Sequence, residues 1–66
     1  MNKYIFIGYK VRLKKEAEFL NPEVPSGFTG TVITTERMVS CTRRSLVRSE
    51  GGEQYWIYNQ DLEVVK

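Results

Sequence analysis

The feature of this sequence that most limits its fold is an alternation of residue types near the N-terminus. Every second position from 5 to 13 is apolar: Ile5, Ile7, Tyr9, Val11 and Leu13. The intervening positions are basic from Lys10 onward. Because a period of two is typical of a β-strand with one buried face, the pattern predicts a strand over residues 5–13. Gly8 lies within this run, where it allows either a bend in one long strand or a break into two shorter ones.

Length and composition indicate one small domain over residues 1–66. The chain is 41% hydrophobic, so a packed core is expected, although a domain of this size buries only roughly 60% of its unfolded surface. Cys41 is the single cysteine, which excludes an internal disulfide and favours a reducing compartment. The apolar run from Tyr4 to Ile7 is shorter than the core of a signal peptide or a membrane span. These features predict a cytoplasmic protein with no membrane partner.

The middle of the chain is predicted to form a long loop followed by a strand. Residues 15–26 lose the alternation and contain the turn-forming pairs Asn21-Pro22 and Pro25-Ser26, so a loop is preferred. A turn or two of helix from Lys14 to Leu20, ended by Pro22, is the alternative. A second strand is predicted from Phe28 to Thr35, where β-branched residues are frequent.

The second half of the chain contains a hairpin signal. A third β element is predicted over residues 38–41, and Gly51-Gly52 separates the β-type runs 46–48 and 55–58. A two-residue loop would place Leu46 opposite Ile57, Val47 opposite Trp56 and Arg48 opposite Tyr55. A four-residue loop leaves these faces unchanged. With Leu46 and Ile57 in the core, Trp56 would point outward.

The C-terminal residues suit a turn and a closing strand. Residues 59–62 are mostly polar and predict a single 3₁₀ turn, and residues 63–65 predict a last strand. The sequence therefore predicts an all-β fold. Its most economical form is a five-stranded SH3-like barrel with a long first loop and a short 3₁₀ turn before the last strand.

Three segments resemble SH3-like barrels of the bacterial and plastid type: residues 8–13 (GYKVRL), 27–32 (GFTGTV) and 61–65 (DLEVV). The chain is similar to the peripheral photosystem I subunit that helps dock ferredoxin, and in outline to the variable chain of ferredoxin-thioredoxin reductase. Both are non-catalytic, so the resemblance implies a fold and a role in contact with a partner.

A weaker resemblance is to the plasmid-type dihydrofolate reductase, which works as a tetramer around a central pore. Residues 11–14, 28–32 and 56–58 look like segments of that family. Its Lys and Gln positions are occupied here by Leu13 and Trp56, so only Ile57 and Tyr58 correspond to its binding residues. An oligomeric reductase-like enzyme is therefore the third functional hypothesis, and we expect no turnover of dihydrofolate.

The residue types do not favour catalysis or metal binding. The chain has no histidine, which removes the commonest general base and metal ligand. Cys41 has no imidazole to activate it and is interpreted as a small buried side chain. Glu16, Glu18 and Glu23 do not have the spacing of a calcium loop. We expect no catalytic site, no metal and no cofactor.

Because no catalytic or metal-binding site is expected, the function is predicted to depend on binding through the protein surface. The leading hypothesis is a small adaptor or regulatory module that contacts a protein partner. A nucleic-acid-binding module is the alternative, because aromatic residues beside the basic residues would offer stacking surfaces and the net charge of +2 permits such a partner. Association of the chain with itself is also open, since barrels with exposed edges can oligomerise. Outward tryptophan and arginine side chains are frequent in interfaces. The predicted partner-binding residues are Trp56, Tyr58, Arg12, Lys14 and Arg48.

Overall fold

A computed structural model describes residues 5–39 and 42–65 and shows one antiparallel sheet of five strands. In chain order the elements are β1 (Lys10–Leu13), a 3₁₀ helix (Lys15–Leu20), β2 (Thr29–Arg37), β3 (Arg43–Arg48), β4 (Gln54–Tyr58), a 3₁₀ turn (Asn59–Asp61) and β5 (Leu62–Val64). The strands are ordered β4-β3-β2-β1-β5. The five strands, the long first connection and the 3₁₀ turn before the last strand are as predicted. Within the described residues β4 and β5 do not pair, so the sheet is open.

The first strand is shorter than predicted because the chain turns at Gly8. Gly8 has a φ of +95°, a conformation that favours glycine, and its N–H donates to the carbonyl of Val32 at 2.9 Å. The turn interrupts the alternation, so Ile7 and Tyr9 are exposed while Ile5 is buried. Only Lys10–Leu13 continues as β1, and the prediction of a strand over residues 5–13 is wrong for its first half.

The core lies on one face of the sheet, which we call the inner face. Val11 and Leu13 of β1 are buried, and the intervening Lys10 and Arg12 are exposed, as the period of two requires. The buried apolar residues form one cluster of Ile5, Val11, Leu13, Ala17, Val24, Phe28, Val32, Val47, Ile57 and Leu62. Tyr55 packs against this cluster, with its ring edge-on to Phe28 at a centroid distance of 5.1 Å.

The register of the β3–β4 hairpin differs by one residue from the prediction. Ile57 lies opposite Ser45, and Trp56 lies opposite Leu46. The loop consists of residues 50–52, closed by a hydrogen bond of 2.8 Å from the N–H of Ser49 to the carbonyl of Glu53. Gly52 ends this three-residue loop with a φ of +93°, an arrangement in which the last loop residue is left-handed. The shift places Val47 in the core, whereas Leu46 is half-buried on the other face.

The connections differ from the sequence prediction in two further places. Met38 and Val39 lie between β2 and β3 rather than in a strand, and Ser40 and Cys41 are outside the described residues, so the prediction for Cys41 stays untested. β2 instead extends to Arg37 and contains an irregularity between Val32 and Thr34.

The long first connection contains a 3₁₀ helix where a loop was preferred. The carboxylate of Glu18 holds the end of this connection, because it accepts hydrogen bonds from the hydroxyl of Ser26 and from the N–H of Gly27, both at 2.9 Å. Ala17 is buried against the core, which accounts for the ordered turn.

Candidate binding face

The outer face of β3 and β4 carries an exposed aromatic pair. Trp56 and Tyr58 are adjacent on this face of β4 and retain 39% and 43% of their surface exposure. Ile57 between them is 1% exposed and lies in the core, so Trp56 points outward as predicted. Leu46 lies directly opposite Trp56 on β3, and Thr34 of β2 lies opposite Leu46. An apolar pair therefore lies across the outer side of β3 and β4, and Thr34 continues the row on β2.

Arg44 holds the Trp56 side chain in place. Its guanidinium carbon lies 4.4 Å from the centre of the Trp56 ring, within the range of a cation–π interaction. The same guanidinium binds the carboxylate of Glu36, with Nε and Nη2 at 2.6 and 2.5 Å from Oε2. The sequence prediction did not include Arg44 among the partner-binding residues. The correct register would have placed Arg44 beside the aromatic pair, because that register pairs Arg44 with Tyr58.

Arg48 lies on the same outer face as Trp56. It pairs with Gln54 rather than with Tyr55, and it follows Leu46 at the next outward position of β3. On its other side it lies opposite Thr31, which pairs with Lys10 of β1. A shallow depression of about 540 Å³ lies over this row of residues. Neither Lys10 nor Arg48 forms a salt bridge with another described residue. Glu50 also lines the depression, so its lining carries charges of both signs.

The structure does not bring Arg12 and Lys14 to the aromatic pair. Arg12 is on β1, with β2 and β3 between it and β4, and its Nε is 2.8 Å from Oε2 of Glu63. Lys14 follows β1, is half-buried and donates its backbone N–H to the carbonyl of Asp61 at 2.8 Å. We define the binding face as Leu46, Trp56 and Tyr58 with Arg44 and Arg48.

A hydrogen bond between two buried polar residues lies on the inner side of the sheet, next to the binding face. The hydroxyl of Ser45 donates to Oδ1 of Asn59 at 2.5 Å, and both residues are buried. Because Ser45 is adjacent to Arg44 and Asn59 follows Tyr58, this bond fixes the end of β4 to β3. Nδ2 of Asn59 has no hydrogen-bond partner among the residues that the structure describes. Burial of an unpaired amide is costly, so packing must hold Asn59 in place.

Comparisons of the chain with protein-family models, with curated proteins and with solved structures gave no match. Within residues 5–39 and 42–65, none of the helical segments has the length and apolar character needed to cross a membrane.

Proposed function

We propose that the protein is a non-catalytic module of SH3-like architecture that contacts a protein partner through the binding face. The observation that carries this proposal is the exposed Trp56, fixed by Arg44 and flanked by Leu46 and Tyr58. An ordered tryptophan with a large exposed fraction is the residue type most enriched in interface hot spots. The long first connection and the 3₁₀ turn before β5 support the SH3-like part of the proposal.

The charges near Trp56 favour a protein over a nucleic acid as the partner. Within the binding face Arg44 is paired with Glu36, so Arg48 is the one cation of the face without an ion pair to another described residue. Phosphate-backbone binding depends on several unpaired cations, and its affinity scales with their number. A protein surface with an apolar centre and one carboxylate facing Arg48 matches this arrangement better. Complementary charge at Arg48 would mainly raise the rate of association.

Trp56→Ala should abolish partner binding with little loss of stability. Truncation of a central hot spot weakens binding by about 2 kcal/mol or more, which is roughly thirtyfold. The free energy of unfolding should change by about 1 kcal/mol or less, because the Trp56 side chain lies outside the core. The measurement is quantitative recovery of bound proteins from an extract of the native host on immobilised wild-type and variant protein, together with thermal unfolding of each.

Two variants test the position of the face. Arg48→Glu should also reduce recovery of the same partner, whereas Arg12→Glu should leave it unchanged because Arg12 lies outside the face. Phe19→Ala is the matched control for loss of an aromatic, since Phe19 is 77% exposed on the 3₁₀ helix. Equal recovery on wild-type and Trp56→Ala protein would show that the partner binds elsewhere.

A salt titration with generic single- and double-stranded nucleic acid tests the alternative function. A nucleic-acid module should bind at low salt, and its affinity should fall steeply as salt rises. If such binding also depends on Trp56, the partner is a nucleic acid and not a protein. We expect no retention at micromolar protein concentration.

A further inference from the structure

β4 has an open edge. It is the last strand of the sheet, and among residues 5–39 and 42–65 only β3 pairs with it. Ser49 and Glu53 form a hydrogen-bonded pair at the start of the hairpin. Because such pairs alternate along an antiparallel ladder, the backbone groups of Tyr55 and Ile57 face β3. Those of Gln54, Trp56 and Tyr58 face the open edge.

The open edge of β4 lacks the features that usually prevent edge pairing. Natural edge strands are commonly protected by charged residues, proline, bulges or very short length. The five residues Gln54–Tyr58 include no charged residue, proline or glycine, and three of them are aromatic. β5, at the other edge, has only three residues and carries Glu63 in an ion pair with Arg12. The two edges of the sheet are therefore unlike, and β4 is the one suited to pairing.

We propose that β4 pairs antiparallel with β4 of a second copy of this chain, about a two-fold axis at Trp56. This register places Trp56 opposite Trp56 of the second copy and Gln54 opposite Tyr58. These residues are the ones whose backbone groups face the edge, so three residue pairs each exchange two hydrogen bonds. The result is a continuous sheet of two five-stranded halves related by isologous pairing.

The side chains are compatible with self-pairing. On the outer face, Leu46 and Trp56 of one copy continue into Trp56 and Leu46 of the other, which forms one uninterrupted apolar row. On the inner face, Tyr55 is half-buried and Ile57 is 1% exposed, so both already pack within their own copy and the new side-chain contacts lie mainly in the outer row. Aromatic side chains in direct cross-strand contact stabilise a sheet. A strand with no charge also meets its own copy without burying an unpaired ion.

The like charges nearest the two-fold axis are the two Arg44 guanidinium groups, because each lies 4.4 Å from the centre of the Trp56 ring of its own copy. Each Arg44 is paired with Glu36, which offsets its charge. The backbones of Arg48 in one copy and Arg44 in the other are three strand spacings apart, about 14 Å, which exceeds the screening length of roughly 8 Å at physiological salt. Self-pairing leaves the binding face of each copy on the same side of the joined sheet, and it does not depend on the proposed function.

Sedimentation equilibrium over a concentration series tests the dimer. A reversible monomer–dimer equilibrium is expected in the micromolar range, because a single strand pair buries a small interface. Amide hydrogen exchange measured across the same series identifies the interface. Exchange at Trp56 and Tyr58 should slow as concentration rises, because their N–H groups become bonded only in the dimer. Exchange at Val47, which lies between two strands, should not change.

Gln54→Pro should raise the dimer dissociation constant by about tenfold or more, because it removes an edge-facing donor in each copy and adds a ring to the pairing edge. Its N–H does not bond to β3, so the fold should be kept. Gln54→Thr is the matched control and should dimerise like the wild type. Gln54→Lys is a second disrupting variant if the proline variant is unstable. A protein that stays monomeric up to millimolar concentration would overturn the proposal. So would a dimer in which exchange at Trp56 does not change.

Discussion

Gly30→Ala is expected to lower the free energy of unfolding by about 3 kcal/mol or more, and to leave much of the protein unfolded at 37 °C. A Cβ at position 30 would meet the carbonyl oxygen of Arg48 well inside van der Waals contact. It would also lie 2.7 Å from the carbonyl carbon of Arg48 and 2.9 Å from Cγ1 of Val47. Most of these atoms belong to the backbone of β3, so no side-chain rotation can relieve the overlap. The measurement is chemical denaturation of the wild type and the variant.

Gly51→Ala is the matched control for this substitution. A Cβ at Gly51 would meet nothing closer than Oγ of Ser49 at 3.8 Å, and Gly51 is outside the core in the hairpin loop. Its stability should stay within about 0.5 kcal/mol of the wild type. If both variants denature at the same concentration as the wild type, β2 and β3 are not in close contact at Gly30.

Ile57→Ala is expected to cost about 2–5 kcal/mol, the usual range for removing a large aliphatic side chain from a core. Ile57 is 1% exposed and belongs to the buried apolar cluster, so truncation leaves a cavity. Against a total stability of roughly 3–10 kcal/mol for a chain of this length, such a loss is severe. Thermal and chemical unfolding of the purified variant measure it.

Leu46→Ala tests the register in the same experiment. The predicted register placed Leu46 in the core beside Ile57, whereas the structure places it half-buried on the outer face opposite Trp56. Leu46→Ala should therefore cost clearly less than Ile57→Ala. It should also cost no more than Val47→Ala, although leucine loses more atoms, because Val47 is fully buried. Equal losses at Leu46 and Ile57 would contradict the observed register.

The outward position of Trp56 could be predicted although the register of its hairpin was not. Within β4 the two faces are distinguished by alternation alone, and Ile57 is the more suitable of the two residues for a core. The register decides only which residues of β3 lie across from them. A shift of one residue exchanges the two faces of β3, which is why Leu46 and Val47 were assigned to the wrong sides and Arg44 was overlooked.

The amino-acid sequence by itself determined the features that depend on local preference. These are the β-rich composition of the strands, the hairpin around Gly51-Gly52, the 3₁₀ turn before β5 and the exposure of Trp56, all of which the structure confirms. Each depends on residues within a few positions of one another, where alternation and turn chemistry act directly.

Only the tertiary structure decided the features that depend on dihedral angles or on distant segments. The positive φ of Gly8 ends β1 early, and the positive φ of Gly52 sets a three-residue loop, yet glycine permits either sign of φ and so does not specify it. The close approach of β3 to Gly30 and the separation of Arg12 and Lys14 from Trp56 follow from the pairing and order of the strands. Local sequence patterns do not predict these distances, because each distance is between residues that lie far apart along the chain.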